Sequence, residues 1–242
     1  MSGDSTLAMA TCVDGGALIG QGAVLVWNDI ADEGRDEFYE WHDKEHVPER
    51  LGIPGFRRGR RFVKRSHSPE WFTMYEADDV SVVTSADYLA RLNAPTPATL
   101  RTLQYFRNTS RAVCRIVHSV GGSTGGHVFV LRLNVPSECG DELCNYLVHD
   151  FFPRAMSFTG VIACHLFVAD EAASHIPTAE SRTRALDVPS WVVLCEATTL
   201  AAGDRAKRLF ESGDLDRLGV GIRDAATYAL EICRLSLPCK HC

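Results

Sequence analysis

Residues 37–61 read Glu37-Phe38-Tyr39-Glu40-Trp41-His42-Asp43-Lys44-Glu45-His46-Val47-Pro48-Glu49-Arg50-Leu51-Gly52-Ile53-Pro54-Gly55-Phe56-Arg57-Arg58-Gly59-Arg60-Arg61. The first part has helical spacing: Phe38, Trp41 and Glu45 fall on one stripe, with His42 and His46 beside it. Pro48 disfavours the helical conformation at Val47, which predicts a helix end near His46. A strand is expected from Phe56, with Arg58 and Arg60 on the face of Phe62 and with Arg57 and Arg61 on the other. The stretch therefore reads as helix, stop and strand, with an imidazole at a helix exit beside a row of guanidinium groups.

Working outward, residues 23–27 (Ala-Val-Leu-Val-Trp) form an apolar, β-branched run closed by Asn28-Asp29, and this predicts a strand before the helix. Residues 71–76 predict a third strand, 85–92 a helix capped by Ser85, 98–106 a second helical piece, and 111–117 a fourth strand. Residues 121–126 (Gly-Gly-Ser-Thr-Gly-Gly) have the composition of a flexible linker at mid-chain. The same order then begins again: strands at 127–133, 161–168, 191–196 and 225–235, with helices at 137–151 and 204–211. One ungapped offset aligns Trp41 with Tyr146, Pro48 with Pro153, Arg50 with Ala155, Gly55 with Gly160 and Phe62 with Phe167. Trp71 and Glu76 match Trp191 and Glu196 at a larger offset, so the second copy carries an inserted loop near residues 175–189.

These patterns predict an α+β chain of two fused ferredoxin-like units (βαββαβ), each a four-stranded antiparallel sheet covered by helices on one face, with the bare faces packed as an intramolecular barrel. The expected layout is a mobile N-terminal arm (1–21), a first unit (22–120), the glycine-rich linker (121–126), a second unit (127–236) and a C-terminal tail (237–242).

A formal charge of −6 excludes a general nucleic-acid or membrane-surface binder, which needs a dominant basic field. The first residues have neither the basic start nor the apolar centre of a secretory signal, so a cytoplasmic location is expected. The nine cysteines sit mostly in apolar runs and read as free thiols. Cys239-Lys240-His241-Cys242 has CxxC spacing but no companion pair, which makes it a weak metal or redox signal.

Glu37-Phe38 with Trp41, His46-Val47-Pro48 and Ile53-Pro54-Gly55-Phe56 before an arginine-rich strand resemble the EthD group of the dimeric α/β-barrel superfamily, here in tandem. The topological resemblance spans both halves and the motif only the first. It implies a small-molecule site in a fold shared by cofactor-free monooxygenases, muconolactone-type isomerases, cyclases and haem-dependent enzymes, so it does not name the reaction. Phe151 stands where His46 stands in the first copy, and this predicts one site per chain, in the first unit.

His46 is the candidate proton-transfer residue, because a histidine at a helix C-terminus titrates near neutral pH. The competing reading is a capping residue. Arg58 and Arg60 are the candidate anion holders, against plain ion pairing with Asp43, Glu45 and Glu49. Trp41, Asn28, Tyr75 and His42 complete the expected pocket. His42 and His46 also have an i, i+4 metal spacing, but with no third ligand in view no metal is assigned. The resulting expectation is an isomerase, lyase or cyclase without a cofactor, acting on a small anionic aromatic or cyclic acid or lactone by His-mediated proton transfer. The alternatives are a cofactor-free monooxygenase, a ligand-binding or stress-response module, and a haem or metal protein. The chain is expected to be its own pseudo-dimer, with homodimer formation left open.

Overall fold

The fold is that of a computed structural model, which describes residues 12–13, 16–177, 179, 187–213 and 219–237. Nine strands occur in the order β1 (Cys12–Val13), β2 (Gly22–Ile30), β3 (Phe56–Val63), β4 (Trp71–Ala77), β5 (Phe106–Val120), β6 (His127–Asn134), β7 (Val161–Ala169), β8 (Trp191–Ala197) and β9 (Gly221–Leu235). The sheet runs β5-β2-β4-β3-β9-β6-β8-β7 and closes through antiparallel β5–β7 pairing, so eight strands form a barrel, with β1 added in parallel to β5. Within each half the strand order is 4-1-3-2, the ferredoxin-like order, and the halves join edge to edge through β3–β9 and β5–β7.

In the closed barrel β2 is buried on both faces, which is why it is an almost unbroken apolar run. Ala23, Leu25 and Trp27 of β2 point into the barrel, where they join Phe62, Phe72, Met74, Val130, Leu194 and Tyr228 in one cluster. Val24 and Val26 point outward under the helices of the first unit. Those helices are α1 (Arg35–Trp41), α2 (Val47–Leu51), α3 (Ala86–Asn93) and α4 (Pro97–Leu103). The second unit carries α5 (Gly140–Tyr146), α6 (Phe152–Met156) and, after a short α7 (Glu171–Ser174) whose Ala173 joins the first unit's outer cluster, α8 (Leu200–Glu211), over its own cluster, which includes Leu143, Leu147, Phe151, Phe152 and Phe210. Among the described residues no helix is long and apolar enough to cross a membrane.

The helix does not end at His46. Residues His42–His46 form a π turn in which the Val47 N–H reaches the His42 carbonyl, and α2 continues to Leu51. Pro48 cannot donate a bond one turn back, and the wider turn accommodates the proline without breaking the helix. The second unit repeats the device, with a π turn at Leu147–Phe151 followed by Pro153. Gly55 and Gly160, both at positive φ (95° and 91°), then turn each chain into its strand.

The part of the N-terminal segment that is described is packed rather than loose. Ala17 and Leu18 are buried, the Ile19 N–H donates to Glu76 Oε2 at 2.8 Å, and Arg58 donates to the Ala17 carbonyl at 2.6 Å. In the glycine-rich segment, Gly125 N–H donates to Glu196 Oε2 at 2.9 Å, so this end of the segment is tied to β8. Cys114, Cys164 and Cys195 are buried free thiols. Cys239 and Cys242 lie outside the described residues.

Candidate active site

A cavity lies between the outer face of the first unit's sheet and its helices, holding about 630 Å³ of atom-free space, its open mouth included. Its apolar wall includes Val24, Val26, Trp41, Phe56, Leu92 and Phe106, and its polar wall Asn28, His42, His46, Thr73, Tyr75 and Tyr88, with Arg50 and Arg111. In the second unit the equivalent π turn ends on Phe151 where the first ends on His46, and Phe151 packs with Phe152 and Phe210 in the apolar core.

The π turn sets the histidines. It brings His42 and His46, four residues apart, to a ring separation of 5.6 Å, both facing the sheet. The His46 ring lies 4.3 Å from Trp41 and 6.2 Å from Tyr75. Trp41 is itself held from behind, where its Nε1 donates to Thr99 Oγ1 at 3.0 Å. With the helix running on to Leu51, His46 is no helix terminus, and the expected influence of the macrodipole on it does not apply.

His42 is buried and electrically constrained. Its pKa is lowered well below the ordinary histidine value, first by burial and then by the positive charges of Arg61 and Arg50. Arg61 Nη1 donates to His42 Nδ1 at 2.8 Å, and Arg61 is oriented by Asp43 (2.5 Å) and Glu231 (2.9 Å). An acceptor Nδ1 on a neutral ring requires the proton on Nε2, which faces Tyr75 Oη at a long 3.4 Å. Arg61 thus fixes the tautomer of His42, a role missed when only the arginine row was read.

Arg58 and Arg60 do not line the cavity. Strand pairing places Arg60 opposite Met74 and Phe62 opposite Phe72, which puts the side chains of Arg58, Arg60 and Phe62 on the barrel-interior face. There Arg58 forms a two-bond pair with Glu76 (2.8 Å each), and Arg60 bridges Glu196 at 2.6 Å and Glu76 at 3.3 Å. His165 lies beside them, donating to or accepting from Ser119 Oγ at 2.8 Å. The barrel-facing pair is thus structural ion pairing, although its partners are not the acidic residues named from sequence.

His46, His42, Trp41, Asn28 and Tyr75 line one cavity. Asn28 is buried, and its Nδ2 has no hydrogen-bond partner among the described residues. Arg50, Tyr88 and Arg111 escaped the sequence reading. Arg50 left one trace, the Ala155 that aligns with it in the second copy. Among the described residues no three His, Cys, Asp or Glu side chains converge as a metal site.

A closed barrel of two βαββαβ units with a cavity under one set of helices is the dimeric α/β-barrel fold, contained here within a single chain. No family model matches the chain, and no curated protein matches it in sequence. Solved structures do match. An anthrone oxidase-like protein aligns with a TM-score of 0.63 at 10% identity, covering 91% of this chain and 95% of its own. A candidate monooxygenase from Fusobacterium nucleatum aligns at 0.52 and 9% identity, over 90% and 95% of the two chains. A mutant chlorite dismutase from Candidatus Nitrospira defluvii aligns at 0.53 and 10% identity, over 87% and 91%. At such identities the likeness is one of fold.

The expected isomerase- or lyase-type reaction is corrected by these findings. The matching structures are named for oxidase, monooxygenase and dismutase chemistry, and Arg58 and Arg60, on which anion binding for that reaction rested, point away from the cavity.

Proposed function

We propose that the chain is a monooxygenase that works without a bound cofactor, on an aromatic ketone or phenol with an acidic C–H or O–H. The observation that carries this reading is the cavity of the first unit, where His46, Tyr75 and Asn28, whose Nδ2 has no partner among the described residues, line an apolar, aromatic-walled space. His46 takes the acidic proton. The resulting carbanion or enolate is itself the reductant for O₂, so the electrons come from the substrate. Electron transfer gives a substrate radical and superoxide, which combine with a proton to form a hydroperoxide. Loss of water then leaves a carbonyl, so that a CH₂ group and O₂ become C=O and H₂O.

Asn28 Nδ2 donates to the substrate oxygen on which negative charge develops, and a donor fixed in place before the reaction lowers the barrier. His42, neutral and held by Arg61, backs Tyr75 rather than competing for the proton. The names of an anthrone oxidase-like protein and a candidate monooxygenase among the fold's relatives agree with this chemistry. The motif at residues 37–56 and the offset between the halves belong to the same proposal: an EthD-like unit in tandem, whose first copy keeps the reactive groups.

Anthrone is the first probe. Oxygen uptake above the protein-free rate, with anthraquinone as product, is expected, and His46→Ala should lower it by about 10²–10⁴-fold. Uptake equal to the blank, or unchanged in His46→Ala, would refute the assignment.

A further inference from the structure

The cavity is not uniform. At one side Arg111 of β5, paired in register with Val26, donates from Nη2 to Tyr88 Oη at 3.1 Å. Arg50 of α2, itself buried, places its guanidinium 5.7 Å over the ring of the same tyrosine. Two guanidinium groups therefore meet at Tyr88, and both line the cavity. No lining side chain is Asp or Glu. Glu49, 3.7 Å from Arg50, lines the outer groove, where it also pairs with Arg91. Among the described residues Arg111 makes no ion pair.

A cavity lined by two guanidinium groups and by no carboxylate, with Glu49 behind only one of them, favours a negatively charged guest, because the surrounding low-dielectric wall screens the charges poorly. The charge is felt across the cavity, since Arg50 contributes to the lowered pKa of His42. The planar guanidinium also matches a carboxylate in geometry, and Tyr88, already accepting from Arg111, has its own proton to donate.

We infer that Arg50, Tyr88 and Arg111 form a carboxylate-binding subsite, and that the substrate is an aromatic ketone or phenol bearing a carboxylate. Its carboxylate sits at Tyr88 and its reactive ring lies toward His46 and Asn28. The reactive half of this description rests on the proposed oxygenase function, whereas the subsite rests on the arginines alone.

The test is binding, which needs no turnover. Isothermal titration with 2-naphthoate and its neutral isostere 2-naphthamide should show the carboxylate binding about tenfold tighter or more. Arg111→Met, at a half-buried position, should erase that preference while the amide affinity stays within about twofold, and Arg111→Lys should restore part of it. Equal affinity for the two probes, no detectable binding of either, or equal loss of both in Arg111→Met would overturn the subsite. Naphthoate preference without oxygen uptake from any probe would overturn the oxygenase reading and leave the subsite standing. Anthrone oxidation with no naphthoate preference would do the reverse.

Discussion

Lowering the pH from 7 to 5 should destabilise this protein, through one histidine inside the barrel. His165 is fully buried on β7, hydrogen-bonded to Ser119 and within the field of Arg60, Arg58 and His118, and its pKa falls to about 3, first by burial and then by the charges of Arg60 and Arg58. In the unfolded chain the same ring titrates near its ordinary value of about 6.5. Between those values the unfolded state binds one more proton than the folded state, so stability falls as the pH drops below about 6.5. The slope is about 1.4 kcal/mol per pH unit, which gives a loss of about 2 kcal/mol by pH 5 from His165 alone. His42, also lowered, adds to it in the same direction. His165→Gln keeps a polar partner for Ser119 and removes the titration. Urea unfolding from pH 7 to 4.5 should therefore give the variant a slope shallower by about one proton than the parent's. Parallel pH profiles for the two proteins would refute this reasoning.

Other perturbations test separate parts of the account. Arg60→Met removes the cation shared by Glu196 and Glu76 and should cost about 3–5 kcal/mol in urea unfolding, since it leaves buried carboxylate charge uncompensated; a loss below about 1 kcal/mol would contradict the bridging role. Gly55→Ala forces a side chain onto a positive φ with its Cβ 2.5 Å from Val82 Cγ2, and a loss of about 1–3 kcal/mol should appear as a lower Tm. Adding hemin to the purified protein tests the cofactor-free part of the proposal: no saturable Soret band is expected, and one band per chain, lost in His46→Ala, would overturn it.

The barrel was readable because its cause lies in patterning. Apolar strands at regular spacing, two copies of one element order, and Pro48 and Gly55 matched by Pro153 and Gly160 leave few ways to cover every face. The sequence does show one contrast at the cavity: His46, which lines it, aligns with Phe151 in the second unit. The arginine strand was not readable, and the reason is physical. When both faces of a strand are buried, alternation no longer separates inside from outside, so the face of Arg58 and Arg60 could not be assigned to the barrel, nor that of Arg61 to the helices, until pairing set Arg60 beside Met74 and Arg61 beside Thr73. The π turn was hidden because Pro48 signals a stop unless the preceding turn widens. Arg111 gave no signal, since its place at the cavity depends on pairing with Val26 far along the chain.

The central claim is that molecular oxygen reacts with a substrate anion formed at His46. Single-turnover oxidation of anthrone under ¹⁸O₂ in unlabelled water, followed by mass spectrometry of the anthraquinone, tests it most directly. The account predicts one ¹⁸O atom in the new carbonyl, one O₂ consumed per product, and loss of both signals in His46→Ala. Label arriving from water instead, or product forming without O₂, would contradict it.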